Sequence, residues 1–248
     1  MSAGYRLPFS KRSKSLTIRR TKFAVNRLAP LRERNFRRFY AGYVTSLLGT
    51  SMSVLAIIFA VLGSGGTAVD LGYVAAARIV PQVAFILAGG VLADRLGRRP
   101  VMLCADALRC CAQAALAAAL FLGRPQIWLF MLLAALVGTG EALFDPALEA
   151  LKVQIVPKEA LVSANALTGA ASSATSIAGP ALAGILVALT GPAPVIALDA
   201  ASYTASMLAL VMLRLPGSRP TMARRSGRAD AGRDPGSRSM PSASMLAA

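Results

Sequence analysis

Gly90-Val91-Leu92-Ala93-Asp94-Arg95-Leu96-Gly97-Arg98-Arg99 joins two long apolar segments of this chain. Three arginines and one aspartate are concentrated in ten residues between stretches that carry almost no charge. A chain that leaves a membrane helix and re-enters it must turn tightly, and Gly90 and Gly97 permit the close backbone approach this requires. Loops rich in Lys and Arg stay on the cytoplasmic side, so Arg95, Arg98 and Arg99 orient the two flanking spans. Asp94 is costly at the edge of the hydrocarbon unless it meets a cation or a helix N-terminus.

Composition widens the same reading to the whole chain. The 248 residues are 55% hydrophobic and 15% charged, against roughly 25% charged for a soluble domain. The apolar residues form runs of about 20 or more, the length that crosses a bilayer. The net charge of +16 raises the question of nucleic acid. Most of the Lys and Arg lie in the tails and in alternating loops, without stacking aromatics, so no nucleic-acid partner is expected; the lipid bilayer is. Cys104, Cys110 and Cys111 share one apolar segment without metal-ligand spacing, and the chain has no His. With no Gly-x-x-x-x-Gly-Lys loop either, neither a metal, a cofactor nor an enzymatic activity is expected.

Three regions follow in order. Residues 1–37 form a basic tail, residues 38–214 hold six spans, and residues 215–248, rich in Arg, Ser, Gly and Pro, form a second basic tail that cannot bury enough surface to order itself. The spans are expected near 39–62, 71–93, 100–122, 127–148, 165–189 and 195–213. Uncharged or nearly uncharged turns at 63–70, 123–126 (with Arg124) and 190–194 should face outward. The signature loop and the polar stretch with Lys152, Lys158 and Glu159 should face the cytoplasm, with both tails. The fold class is therefore all-α, a polytopic bundle of six transmembrane helices in a plasma membrane.

Several ionisable residues fall inside these spans. Arg78 lies about seven residues below the outer end of span two, roughly 10 Å by helical rise, and should face the bundle interior. Asp106 and Arg109 are one helical turn apart and can neutralise each other. Glu141, Asp145 and Glu149 recur every fourth residue as an acidic stripe at the inner end of span four. Asp145 and Glu149 should approach the loop arginines. Two readings stand side by side: a network of Asp94, Arg98 and the stripe that shifts between states, or static pairs that only let the helices insert. Pro81 and Pro180 stand at similar distances from the outer ends of spans two and five, as interruptions in an inverted three-plus-three repeat would.

The loop resembles the loop 2–3 signature of the major facilitator superfamily, Gly-x-Leu-Ala-Asp-Arg-x-Gly-Arg-Arg, at Gly90, Leu92, Ala93, Asp94, Arg95, Gly97, Arg98 and Arg99. Around span five, Gly179, Pro180 and Gly184 resemble the antiporter motif of drug–proton exporters, while Thr175 and Ala183 stand where that motif prefers glycine. An arginine usual in span four of those exporters is missing. With Asn35-Phe36-Arg37-Arg38 before span one and Asp106-x-x-Arg109, the chain is most similar to the enterobactin-exporter and macrolide-efflux branch. The resemblance covers about residues 32–214 and implies the first six of twelve helices. It implies a secondary-active, proton-coupled exporter of drugs or siderophores, whose cytoplasmic loop gates the cavity. Three outcomes remain open for a half-length chain: a truncated exporter, a half that pairs with a second half or with itself, or a non-transporting membrane subunit.

Overall fold

The computed structural model describes residues 29–213 except Arg124; the two basic tails expected at 1–37 and 215–248 fall largely or wholly outside these residues, as does the charge of Arg124. A short helical turn, Ala29–Arg32, leads into six long helices: α1 Arg34–Gly63, α2 Ala68–Leu96, α3 Arg98–Leu122, α4 Ile127–Ile155, α5 Leu161–Thr190 and α6 Pro192–Val211. All six are long and apolar enough to cross a membrane. No strand occurs among the described residues. In hydrocarbon every backbone N–H and C=O must find its partner within the segment, and unbroken helices meet that demand.

The ends of the helices differ from the sequence expectation for local reasons. Span two begins at Ala68 rather than near residue 71, because Thr67 and Asp70 form a capping box. The Asp70 carboxylate accepts the Thr67 backbone N–H at 2.7 Å, and the Thr67 hydroxyl accepts that of Asp70 at 3.3 Å. Two donors that a helix start leaves unpaired are thereby satisfied. Span four runs on through Ile155, past the expected end near residue 148, because Leu151 and Lys152 are buried. Pro157 then breaks the chain into a short 3-10 turn, Lys158–Ala160.

The signature stretch also differs from expectation. It is not a ten-residue turn: α2 continues through Gly90 to Leu96, and the reversal is confined to Gly97, whose φ of +93° favours glycine. Gly90 has open space beside its Cα, so it makes no close approach. Arg98, Arg99 and Pro100 open α3 directly, where the missing N–H of Pro100 has no helical partner to lose.

The bundle is built from pairwise contacts that obey one exchange rule. α1 packs on α6 and α5, α4 packs on α3 and α2, and α3 packs on α6. Exchanging α1 with α4, α2 with α5 and α3 with α6 carries this set of contacts onto itself, with α3–α6 as the pair that maps to itself. The helices run in opposite senses under that exchange, which defines an inverted repeat of three plus three. The prolines do not mark it. Pro81 stands at the middle of α2, whereas Pro180 is displaced toward the C-terminal end of α5. Sequence order is kept under the exchange, so those positions do not superimpose.

Met52, Ala56, Val74, Ala112, Leu116, Phe130 and Val137 form a core where α1 to α4 meet. α2 and α5 keep long apolar faces uncovered, including Leu87, Val83, Ile177 and Leu189.

Candidate functional site

Between α1, α2 and α4 lies a cleft of about 780 Å³ with α3 as its floor. Its walls are mainly apolar, with Val54, Ile57, Leu71, Phe130 and Val137 among them, and a limited set of polar groups reaches in: Thr50, Arg78, Gln82, Arg109, Gln113, Glu141 and Asp145. An apolar hollow with sparse polar groups is the usual form of a small-molecule site.

Arg78 and Glu141 meet across the α2–α4 contact. The Arg78 Nε donates to Glu141 Oε2 at 3.1 Å, and its Nη2 donates to Oε1. This fork is half-buried at Arg78 and nearly buried at Glu141. A bidentate guanidinium–carboxylate pair is the geometry that best offsets removal from water. Arg78 thus faces the interior, as its depth in the sequence demanded.

Below it, Arg109 pairs with Asp106 one turn earlier on α3. The Arg109 guanidinium is sandwiched between aromatic rings, 4.3 Å from the Phe144 centroid and 4.7 Å from that of Tyr203. Its buried Nε has no hydrogen-bond acceptor, so the guanidinium is held by Asp106 and by cation–π contact with the two rings. The Tyr203 hydroxyl shares a 2.9 Å hydrogen bond with Thr50, which returns the chain of contacts to the cleft wall.

The acidic stripe on α4 divides three ways. Glu141 binds Arg78. Asp145 is exposed on the cleft wall with no ion pair or hydrogen bond among the described residues. Glu149 pairs with Lys152 at 2.6 Å. The Lys152 ammonium is buried and also donates to Thr168 Oγ1 of α5 at 3.5 Å.

The expected network of Asp94, Arg98 and the stripe is not formed in this structure. Asp94 lies on the exposed face of α2 with no bonded partner among the described residues. Arg98, beyond the Gly97 reversal, donates instead to the Ala150 carbonyl of α4 at 2.7 Å. Arg99 donates to the carbonyl of Val211, the last residue of α6. Arg95 and Leu92 are exposed, and Ala93 is buried. The Val211 carbonyl attracts Arg99 because a helix C-terminus carries unpaired oxygens and the negative pole of the helix, whereas Ala150 lies inside α4, one turn before its last residues.

On α5, Gly179, Thr175 and Ala183 are buried. At Gly179 a Cβ would collide with the Ser51 side chain of α1, so the two helices touch there. Gly184 meets only ordinary van der Waals contact with Leu55, and Pro180 faces outward.

Sequence reasoning missed Gln113 and Asp199. Asp199 on α6 is completely buried. The Gln113 amide donates to Asp199 Oδ2 at 2.7 Å and to Ser53 Oγ at 3.2 Å, and Ser202 Oγ lies 3.4 Å from Asp199 Oδ1. Among the described residues no cation forms an ion pair with Asp199. A lone acid inside an apolar span is a functional candidate by default, and that rule would have found it. Among the described residues no group of His, Cys, Asp and Glu could hold a metal ion.

Six apolar helices in an inverted repeat, enclosing a cleft with paired charges, are the architecture expected of the major facilitator fold. Residues 25–225 match the family model described as transmembrane secretion effector, and the chain belongs to that family. It is 28% identical over 181 residues to macrolide efflux protein A of Streptococcus pyogenes, covering 73% of this chain and 45% of that protein. It is 31% identical over 182 residues to the multidrug efflux pump Tap of Mycolicibacterium fortuitum, covering 71% and 44%. The chain spans less than half the length of these curated relatives.

Proposed function

We propose that this chain supplies six helices of a proton-coupled exporter of small lipophilic molecules in the plasma membrane. Drugs such as macrolides, or siderophores, are the substrate classes in view. The observation that carries this reading is the cleft: an apolar hollow of about 780 Å³ whose charges, Arg78 and Glu141 above all, lie on different helices of the repeat. A pair held between helices can open and re-form as those helices rock, which is how alternating access works around a midplane site.

The names of the relatives support export as the direction. The loop arginines and Lys152 and Lys158 gather at one end of the bundle. By the positive-inside rule that end, with both tails, is cytoplasmic. The signature loop then acts as a cytoplasmic latch, with Arg98 tying α3 to α4 and Arg99 tying it to the end of α6. The uncovered apolar faces of α2 and α5 suit a second six-helix unit, either a separate half or another copy of this chain. We read the protein as a carrier and not as an enzyme.

The test is accumulation of radiolabelled erythromycin and of ethidium in inverted membrane vesicles under an imposed pH gradient. Vesicles would contain this chain alone or with a co-expressed second six-helix segment. Uptake that collapses when the gradient is dissipated is expected in at least one arrangement. Equal accumulation in vesicles lacking the chain refutes the reading.

A further inference from the structure

We propose that Asp199 is a proton-binding site of the bundle, linked to the cleft through Gln113, and that it exchanges a proton as the cleft gains or loses a ligand. The coupling part of this inference rests on the transport reading above; the proton-binding part does not.

The geometry singles out Asp199 among the buried acids. Asp106 is neutralised by Arg109 and Glu141 by Arg78. Asp199 is equally buried, yet the side chains bonded to its carboxylate are neutral: the Gln113 amide at 2.7 Å and the Ser53 hydroxyl. The Ser202 hydroxyl, 3.4 Å from Oδ1, donates its proton to the Asp199 backbone carbonyl at 2.7 Å. Burying an unpaired carboxylate costs far more than burying the neutral acid, so such a group takes up a proton when water is excluded and loses it when water returns. The step needs no other reactant. A proton from solvent adds to a carboxylate oxygen to give the neutral acid, and the same O–H bond breaks to return it.

The groups that face Asp199 come from four helices. α1 brings Ser53 and Gly49, neither of them titratable. α3 brings Gln113, with Arg109 and Cys110 at longer range. α2 contributes only the distant charge of Arg78, and α6 itself contributes Tyr203. α5 contains no titratable side chain. Arg109 is held by Asp106 and the two rings, and Arg78 by Glu141, so neither cation is free to pair with Asp199.

Gln113 provides the connection. It lines the cleft, and its amide nitrogen bonds both Asp199 and Ser53. A ligand that draws this amide toward the cleft removes the 2.7 Å hydrogen bond to the Asp199 carboxylate and favours its protonation. By linkage, protonation of Asp199 alters ligand affinity by the same factor.

The experiment is infrared titration of the full chain in nanodiscs, reading the carbonyl band of protonated carboxylic acid across pH, with and without ethidium. In the wild type a band that titrates reversibly is expected, and ethidium should shift its midpoint. Asp199→Asn, which keeps the shape and one acceptor oxygen, should remove the band, while Glu141→Gln should retain it. Gln113→Leu should keep a titrating band but abolish the ethidium-induced shift. A wild-type band that persists in folded Asp199→Asn protein overturns the proposal, and an ethidium shift that survives in Gln113→Leu overturns the link. If Asp199→Asn does not fold, the ligand-free midpoint of Gln113→Leu decides, because that variant removes the 2.7 Å donor to the carboxylate: an unmoved midpoint would count against Asp199 as the titrating group. An intact band without gradient-driven uptake in vesicles would refute the transport reading and leave the proton site standing.

Discussion

α3 and α6 occupy equivalent places in the two repeats, and each carries an aspartate–alanine step at mid-helix, Asp106-Ala107 and Asp199-Ala200. Each is followed seven residues later by a polar group that faces the aspartate of the other helix: Gln113 bonds Asp199, and the Ser206 hydroxyl lies toward Asp106. Three residues after the aspartate the two helices part company, with Arg109 on α3 and Ser202 on α6. One acid therefore has a cation within its own helix and the other has a hydroxyl. The same backbone position thus serves as a neutralised structural pair in one repeat and as an unpaired acid in the other. What an intramembrane carboxylate can do depends less on its burial than on whether a cation arrives with it.

The strongest way to break this comparison is Arg109→Met. It strips Asp106 of its cation and should destabilise the bundle by about 3–5 kcal/mol, the usual effect of removing one partner of a buried pair. Fluorescence-detected size-exclusion with a thermal ramp would show it as loss of monodisperse protein. The double variant Asp106→Asn/Arg109→Met should recover most of the loss; failure to recover would mean that Arg109 acts through its aromatic cage instead.

A smaller effect sharpens the symmetry itself. At Gly49 a Cβ would meet Asp199 Oδ1 at 2.8 Å, and at Gly140 it would meet the Arg109 side chain at 2.6 Å. These are corresponding contacts, α1 on α6 and α4 on α3. Gly49→Ala and Gly140→Ala should each cost about 1–3 kcal/mol by overpacking, seen as similar falls in melting temperature. A large effect at one site and none at the other would show that the repeats are not equally tight there.

The smallest effects belong to the signature loop. Arg98→Ala removes a donor to the Ala150 carbonyl and should cost about 1 kcal/mol. Asp94→Asn, exposed and without a bonded partner, should stay within about 0.5 kcal/mol. Normal stability with impaired uptake in Asp94→Asn would assign the loop a role in another conformational state. Normal stability with normal uptake would remove its gating role.

Much of this could be read along the chain, and the limits have physical causes. Six spans were legible because lipid demands about 20 apolar residues at a time. Asp106 and Arg109 could be paired in advance, since three residues on a helix bring side chains together whatever surrounds them. The start of α2 was legible in principle from Thr67 and Asp70, a capping pattern hidden inside an apparent polar turn. The end of α4 was not, because Lys152 reads as a loop residue until its neighbours show that Glu149 and Thr168 receive it.

The sequence by itself determined the class: helices that cross a membrane, their order, and the basic end that groups the loops. These follow from hydropathy and charge, which act residue by residue. Tertiary structure alone decided which charges meet. Arg78 and Glu141 are 63 residues apart, and Gln113 and Asp199 are 86 apart. No local periodicity can join residues at such separations; only the packing of α2 on α4 and of α3 on α6 brings them within reach. The inverted repeat belongs to the same category, because it resides in the pattern of helix contacts and not in the prolines that first suggested it.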